Sequence, residues 1–293
     1  MAFLAMFGAV FLFGANFVVS RYAALRGMTA DDLAALRFGV AAPLVLPLFL
    51  RRGAATCAGI GWRKGLLLVL TSGFPVTLLM LTGLTFAPAA HGATIGPGTV
   101  TAVGVISGIV LTRVLPPALT RLGLLLALFG LASVALAGSV SGSSSVVLGD
   151  LCFFAMGGLW GLYPILLQRW RVDAMTGAAI CVVLSLPYVA FHLLAGRSRL
   201  LEADPVLVLV QAVFQGPLSM LAGLWLWGSA VGVLGAARTQ LFPPMIPVIG
   251  TLLAIPTLGE VPGPLQSLGI ALIVAGLALA AYGSRAPAQA AKM

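Results

Sequence analysis

Of the 293 residues, 60% are hydrophobic and 8% charged, with a mean hydropathy of +1.12, so the chain has too few polar side chains to cover a water-soluble globule. A net charge of +9 raises nucleic acid as a partner. The cations, however, are spread over short connections between apolar runs and form no patch with interleaved aromatics, so no nucleic-acid partner is expected.

Apolar stretches long enough to cross about 30 Å of hydrocarbon fall near 3 to 25, 31 to 50, 65 to 86, 88 to 112, 118 to 138, 146 to 168, 174 to 195, 205 to 228, 232 to 257 and 263 to 284. The expected fold is therefore an all-α integral membrane protein of ten transmembrane helices, here called spans 1 to 10. The first run has no basic leader and is longer than a signal core, so it is expected to be kept as a helix. The separators carry turn chemistry, as in Arg26-Gly27-Met28-Thr29, Pro116-Pro117 and Val261-Pro262-Gly263. Asp31 and Asp32 are expected to cap span 2. Cys57, Cys152 and Cys181 are odd in number and are read as packing residues rather than a disulfide framework.

The chain repeats itself. Leu115-Pro116, Leu122-Gly123 and Gly130-Leu131-Ala132 recur about 146 positions later as Val261-Pro262, Leu268-Gly269 and Gly276-Leu277-Ala278, and Pro97 falls on Pro243. Each copy holds five spans, and a unit with an odd number of spans ends on the opposite side of the membrane from its start. Residues 1–144 and 145–293 are thus expected to be inverted five-helix repeats of one integrated unit, the usual architecture of an alternating-access transporter. With the amino terminus inside, Arg51, Arg52, Arg63, Lys64, Arg113, Arg121, Arg169, Arg171, Arg285 and Lys292 face the cytoplasm, against Arg26, Arg197 and Arg199 outside. The positive-inside rule then places both termini in the cytoplasm.

No Asp or Glu lies at the middle of a span, so the buried carboxylate that commonly couples a carrier to protons or sodium is missing. This points to a facilitator, or to coupling through His91. Neutral polar residues near the midplane are few, and Asn16, Thr94, Thr99, Gln215 and Gln240 are the candidate cavity contacts. Ser72, Thr77, Thr101, Gln211 and Thr239 share that depth, and for every such residue interhelical hydrogen bonding is the alternative role. Trp160 and Tyr163, about one helical turn apart on span 6, offer a stacking surface for an apolar or aromatic solute, with core packing as the alternative. Arg37 and His91 sit in the outer thirds of spans 2 and 4 as vestibule or coupling candidates.

Pro75, Pro97, Pro217, Pro243 and Pro244 interrupt spans 3, 4, 8 and 9, which correspond between the halves. Each removes a backbone hydrogen bond and frees a carbonyl, so these positions are the expected hinges. Glycines spaced by four on span 4, from Gly92 to Gly108, and Gly157 with Gly161 on span 6, are read as close helix packing. No acid, nucleophile or metal cluster is present to support an integral membrane enzyme, and no set of cations converges on the midplane as a nucleotide-sugar carrier requires. No catalytic residue, metal or cofactor is expected.

The Phe13-Gly14-Ala15-Asn16-Phe17 opening, the Ala89-Ala90-His91-Gly92-Ala93-Thr94 start of span 4, and the stretch from Gly235-Ala236-Ala237-Arg238-Thr239 to Leu258-Gly259-Glu260 resemble the drug/metabolite transporter superfamily, EamA type. Within it the chain is most similar to the YddG aromatic amino-acid exporters. The resemblance implies a bacterial inner-membrane exporter of aromatic and other neutral amino acids, working in the lipid bilayer through a central cavity between inverted halves. The residues leave the oligomeric state open, a monomer included.

Overall fold

The computed structural model describes residues 1–113, 115–140, 144–234, 242 and 245–283. Among them every regular element is helical: α1 Ala2–Leu25, α2 Ala30–Arg51, α3 Trp62–Ser72, α4 Phe74–Phe86, α5 Ala89–Thr112, α6 Ala118–Val140, α7 Ser144–Trp170, α8 Ala174–Leu194, α9 Pro205–Val213, α10 Gly223–Leu234, α11 Met245–Leu258 and α12 Pro264–Gly283. A π segment, Phe214–Ala222, joins α9 to α10. Among the described residues, the apolar helices or broken helices long enough to cross a bilayer include α1, α2, α3 with α4, α7, α8 and the stretch Pro205–Ala230. The 24 residues of α5 reach about 36 Å at 1.5 Å each. The protein is an all-α integral membrane protein.

Local chemistry sets the ends of the spans. After α1 the chain turns at Gly27, whose φ is +89°, while Met28 N–H bonds Ala23 O at 3.1 Å and Gly27 N–H bonds Ala24 O at 3.1 Å, a Schellman closure that satisfies the last carbonyls. Thr29, rather than an aspartate, caps α2: its hydroxyl oxygen accepts from Asp32 N–H at 3.1 Å and its hydroxyl donates to Asp32 Oδ2 at 2.8 Å. Asp32 also accepts from Ser198 Oγ at 2.8 Å and pairs with His192 at 2.9 Å, tying α2 to the end of α8. Asp31 accepts from the Tyr188 hydroxyl. Asp173 caps α8, accepting from Thr176 N–H at 2.9 Å and Oγ1 at 2.7 Å, with Arg52 at 3.3 Å. Burial works to raise the Asp173 carboxyl, but the Thr176 bonds and the Arg52 charge outweigh it and hold the group below its usual value.

Span 3 is two half-helices because of Gly73. A Cβ there would lie 2.7 Å from both Val69 O and Val69 Cγ1, so only glycine allows the chain to fold back so closely. Pro75 follows at the second position of α4, where its missing N–H costs no helical bond. The Ser185 hydroxyl accepts from Phe74 N–H at 3.1 Å, satisfying a donor that the break exposes.

Glycines also set the helix contacts. On α7, a Cβ at Gly157 would lie 2.6 Å from Gly96 O of α5, and one at Gly161 would lie 2.8 Å from Val103. The α6 and α12 pair is closer still. Gly123 meets Gly276, and Gly130 meets Gly269, with the facing carbonyl oxygen 2.5 Å from where an added Cβ would stand at Gly123, Gly276 and Gly130, and 2.8 Å at Gly269. Contacts at that range let backbones pack without intervening side chains.

The most extensive helix contacts are kept when each span is exchanged with the one five later. The α6–α12 and α2–α8 pairs map onto themselves. The α5–α7 pair maps onto α11–α1, α4–α7 onto α10–α1, and α3–α8 onto the π segment with α2, and all of these pairs are in contact.

Candidate functional site

At mid-depth the helices leave a cavity over which the centre of a water molecule can range through about 130 Å³, well beyond the roughly 10–15 Å³ that one buried water needs. Spans 1 to 4 and 6 to 9 contribute to its wall, whereas α6 and α12 contribute no residue among those described. Phe13, Phe17, Trp160, Tyr163 and the thioethers of Met80 and Met156 make most of it apolar. Asn16, Ser72, Thr77, Ser219 and Arg37 supply the polar groups. None of the described lining residues is an Asp or Glu.

Two broken helices shape this space. The α3–α4 break puts Ser72 on one side of Gly73 and Val76 and Thr77 on the other, all on the wall. Opposite, the π segment carries Gln215, Gly216, Pro217 and Ser219. Its Pro217 removes an amide donor, and the wider π register accommodates the loss. A Cβ on Gly216 would lie 2.9 Å from Arg37 O and 3.0 Å from Ala41 N, so glycine lets this segment press directly on α2 at Arg37.

Arg37 lies on the eighth residue of α2, about 10 Å from its start. Its side chain is partly exposed, and the exposed part faces the cavity. Nη1 donates to Gln215 Oε1 at 3.2 Å and to Asn16 Oδ1 at 3.4 Å. The orientation of the Gln215 amide follows from its other bonds: Nε2 donates to Ser20 Oγ at 2.8 Å and Gln211 Oε1 at 3.0 Å, and Gln211 Nε2 donates in turn to Val19 O at 2.9 Å. With both Nε2 hydrogens engaged, only the Gln215 oxygen can face the guanidinium. Arg37 Nε is buried with no hydrogen-bond partner among the described residues.

The sequence candidates thus separate. Asn16, Trp160, Tyr163, Arg37 and Pro97 lie on the cavity wall. Gln215 is fully buried behind Arg37. Thr94 and Thr99 turn inward to their own helix, donating to Ala90 O at 2.6 Å and Ile95 O at 2.8 Å, and neither is on the wall. His91 is also away from it: its Nδ1 is 2.7 Å from Asp150 Oδ1, both residues being buried at the starts of α5 and α7. Gln240, Pro243 and Pro244 lie outside the described residues. Pro75 sits beside a true break and Pro217 inside the π segment, while α5 continues unbroken through Pro97.

Sequence reasoning passed over Phe13, Phe17, Met80, Met156 and Ser219 as cavity residues. The aromatic and Met residues carry no signal that separates a cavity wall from a lipid-facing surface. Ser219 was detectable as a hydroxyl two positions after Pro217. At one end of the bundle, beyond the cavity, Arg21 Nε pairs with Glu260 Oε1 at 2.8 Å, and Glu260 Oε2 accepts from Ala89 N–H at 2.8 Å. Arg21 also donates to Leu84 O at 2.7 Å, so this pair joins α1, the end of α4, the start of α5 and the turn after α11. Among the described residues there is no group of His, Cys, Asp and Glu able to hold a metal ion.

Comparison with known proteins agrees with a solute pathway. The EamA-like transporter family matches the chain twice, over residues 1–136 and 147–282. An uncharacterized transporter, YyaM, of Bacillus subtilis (strain 168) is 22% identical across 97% of this chain and 95% of its own length. A solved crystal structure at 20% identity shares the fold with a TM-score of 0.57, covering 97% of this chain and 98% of that one. The chain is a multi-pass membrane protein of the EamA-like transporter family, within the drug/metabolite transporter superfamily, and a carrier of small solutes rather than an enzyme.

Proposed function

We propose that this protein exports amino acids, aromatic and other neutral ones with broad specificity, by alternating access across a bacterial inner membrane. The observation that carries the reading is the cavity itself: an apolar, aromatic-walled space at mid-depth, with a few neutral polar groups and one guanidinium. Trp160, Phe13 and Phe17 suit an apolar side chain, while Asn16, Thr77 and Ser219 suit a small polar head group. Contacts of this kind bind weakly, which suits a carrier that must release its cargo. Several converging cations would favour a nucleotide-sugar or phosphorylated solute, and the described wall holds one.

Two inverted halves, residues 1–144 and 145–293, would move relative to each other about this cavity. The paired family matches support that division. So does the exchange of contacts between α6 and α12, where Gly123 meets Gly276 and Gly130 meets Gly269. Gly123 and Gly269 are equivalent positions in the two copies, as are Gly130 and Gly276, and reciprocal contacts of this form are expected across a two-fold axis. Both termini would be cytoplasmic, as the cation count favours.

The test is counterflow in proteoliposomes holding the purified protein. Labelled phenylalanine should accumulate against preloaded unlabelled phenylalanine with no imposed proton or sodium gradient. Absence of exchange for every neutral amino acid tried would exclude the substrate class. Strict dependence on one gradient would overturn the uncoupled mechanism.

A further inference from the structure

We infer that Arg37 is the carboxylate receptor of the cavity, so that the transported solutes are recognised as monocarboxylates with an apolar body and an amino group adds little to their binding. The inference rests on the proposed reading of this cavity as the transport site, and it narrows the chemistry of what enters.

Burying a guanidinium within a membrane is costly, and such groups normally acquire a carboxylate partner. Arg21, itself largely buried, does, pairing with Glu260 at 2.8 Å; the Arg52–Asp173 pair, by contrast, lies on the exposed surface. Arg37 has no such partner among the described residues. It is held by two neutral amide oxygens, both through Nη1. Those dipoles orient the group without cancelling its charge, and the Gln215, Gln211 and Ser20 chain behind it fixes the orientation from fully buried positions. A full positive charge therefore meets a low-dielectric cavity, where its attraction for an anion is stronger than in water. The planar fork of the guanidinium is also suited to a carboxylate.

No anionic side chain among the described lining residues meets the opposite charge. Ser72, Thr77, Ser219 and Asn16 offer an incoming ammonium only neutral oxygens. Asn16 Oδ1 already accepts from Arg37. An ammonium in so small a cavity also lies close to the Arg37 charge, which repels it. A carboxylate joined to a phenyl or branched alkyl group satisfies both the guanidinium and the aromatic wall.

The experiment compares two compounds of similar size and opposite charge, 3-phenylpropionate and 2-phenylethylamine, together with phenylalanine, as ligands of the purified full-length protein. Binding is read from the shift in melting temperature with ligand concentration at pH 7. The expected result is stabilisation by 3-phenylpropionate at least equal to that by phenylalanine, and none by 2-phenylethylamine. Arg37→Gln should weaken 3-phenylpropionate binding roughly tenfold or more, because hydrogen bonds to a charged group are lost, and Arg37→Lys should weaken it less. Equal stabilisation by acid and amine, no stabilisation by 3-phenylpropionate, or unchanged binding to a folded Arg37→Gln protein overturns the inference. If Arg37→Gln does not fold, the acid and amine comparison on the wild-type protein decides alone. Counterflow of phenylalanine separates the two ideas. Transport with equal acid and amine binding rejects only the carboxylate receptor, and acid binding without amino-acid transport rejects only the amino-acid assignment.

Discussion

Gln215→Glu changes one NH₂ group to an oxygen and places a carboxylate where the structure has a neutral amide 3.2 Å from Arg37 Nη1. At that separation, with an effective dielectric of about 20, opposite unit charges attract by about 5 kcal/mol. Against this stand the two bonds that Gln215 Nε2 donates, to Ser20 at 2.8 Å and Gln211 at 3.0 Å. The Ser20 hydroxyl can turn and donate to the new carboxylate. Gln211 must either face it with an oxygen or rotate and give up its bond to Val19 O, a loss of roughly 1 kcal/mol. The balance favours an internal ion pair that occupies Arg37 permanently. If only a third of the attraction, about 1.7 kcal/mol, opposes an incoming carboxylate, its affinity falls more than tenfold. We therefore expect the half-saturation concentration for phenylalanine counterflow to rise at least tenfold, while the melting temperature of the unliganded protein stays level or rises. A Gln215→Glu protein with wild-type half-saturation would refute the reasoning, because the Arg37 charge would then be irrelevant to binding. A large fall in melting temperature would show that the lost Ser20 and Gln211 bonds outweigh the new pair.

Trp160→Ala should raise the half-saturation for phenylalanine about fivefold, close to 1 kcal/mol, with little effect on alanine counterflow; equal effects on both solutes would mean that Trp160 shapes the helix and not the site. Gly130→Leu drives a side chain into the space next to Gly269 O, 2.5 Å from the would-be Cβ, and should destabilise the protein by about 1–3 kcal/mol with an unaltered half-saturation in the fraction that remains folded. His91→Ala leaves the Asp150 carboxylate buried without its 2.7 Å partner and should cost about 3–5 kcal/mol, whereas the His91→Ala/Asp150→Asn double variant should recover part of that loss in a melting assay; additive losses would show that the two side chains do not stabilise each other. As the pH falls, the Asp173 cap should weaken only below the usual carboxylate value near 3.8, since the folded group is held lower: its stabilisation is fully present above the unfolded value and is lost on passing down through the folded one. Asp173→Asn should remove that acid-dependent part of the melting curve, and an identical curve would assign it to another group.

Composition and span length were enough to determine the class of this protein, because in hydrocarbon every backbone polar group must be satisfied within a helix or a closed barrel. The sites of the broken helices were also partly legible, since a proline or glycine acts through its own backbone. Gly73 with Pro75, and Pro217, did produce a break and a π segment. Proline alone was not sufficient, however: Pro43, Pro47, Pro164, Pro187 and Pro256 lie within helices that continue through them. Which polar side chains meet the cavity was decided only by tertiary structure. These spans are apolar on every face, so no amphipathic stripe separates the interior from the lipid side. Thr94 and Asn16 look alike in the sequence as lone polar residues at mid-depth, yet the short threonine hydroxyl is satisfied by its own helix at Ala90 O, while the Asn16 amide oxygen accepts from Arg37 across a helix interface. His91 had its partner 59 positions away in Asp150, and Arg37 had its partner 178 positions away in Gln215. The sequence supplied each charge and its depth along a helix, but only packing, through the rotation of α2 against the π segment, gave Arg37 a neutral partner and an opening toward the cavity.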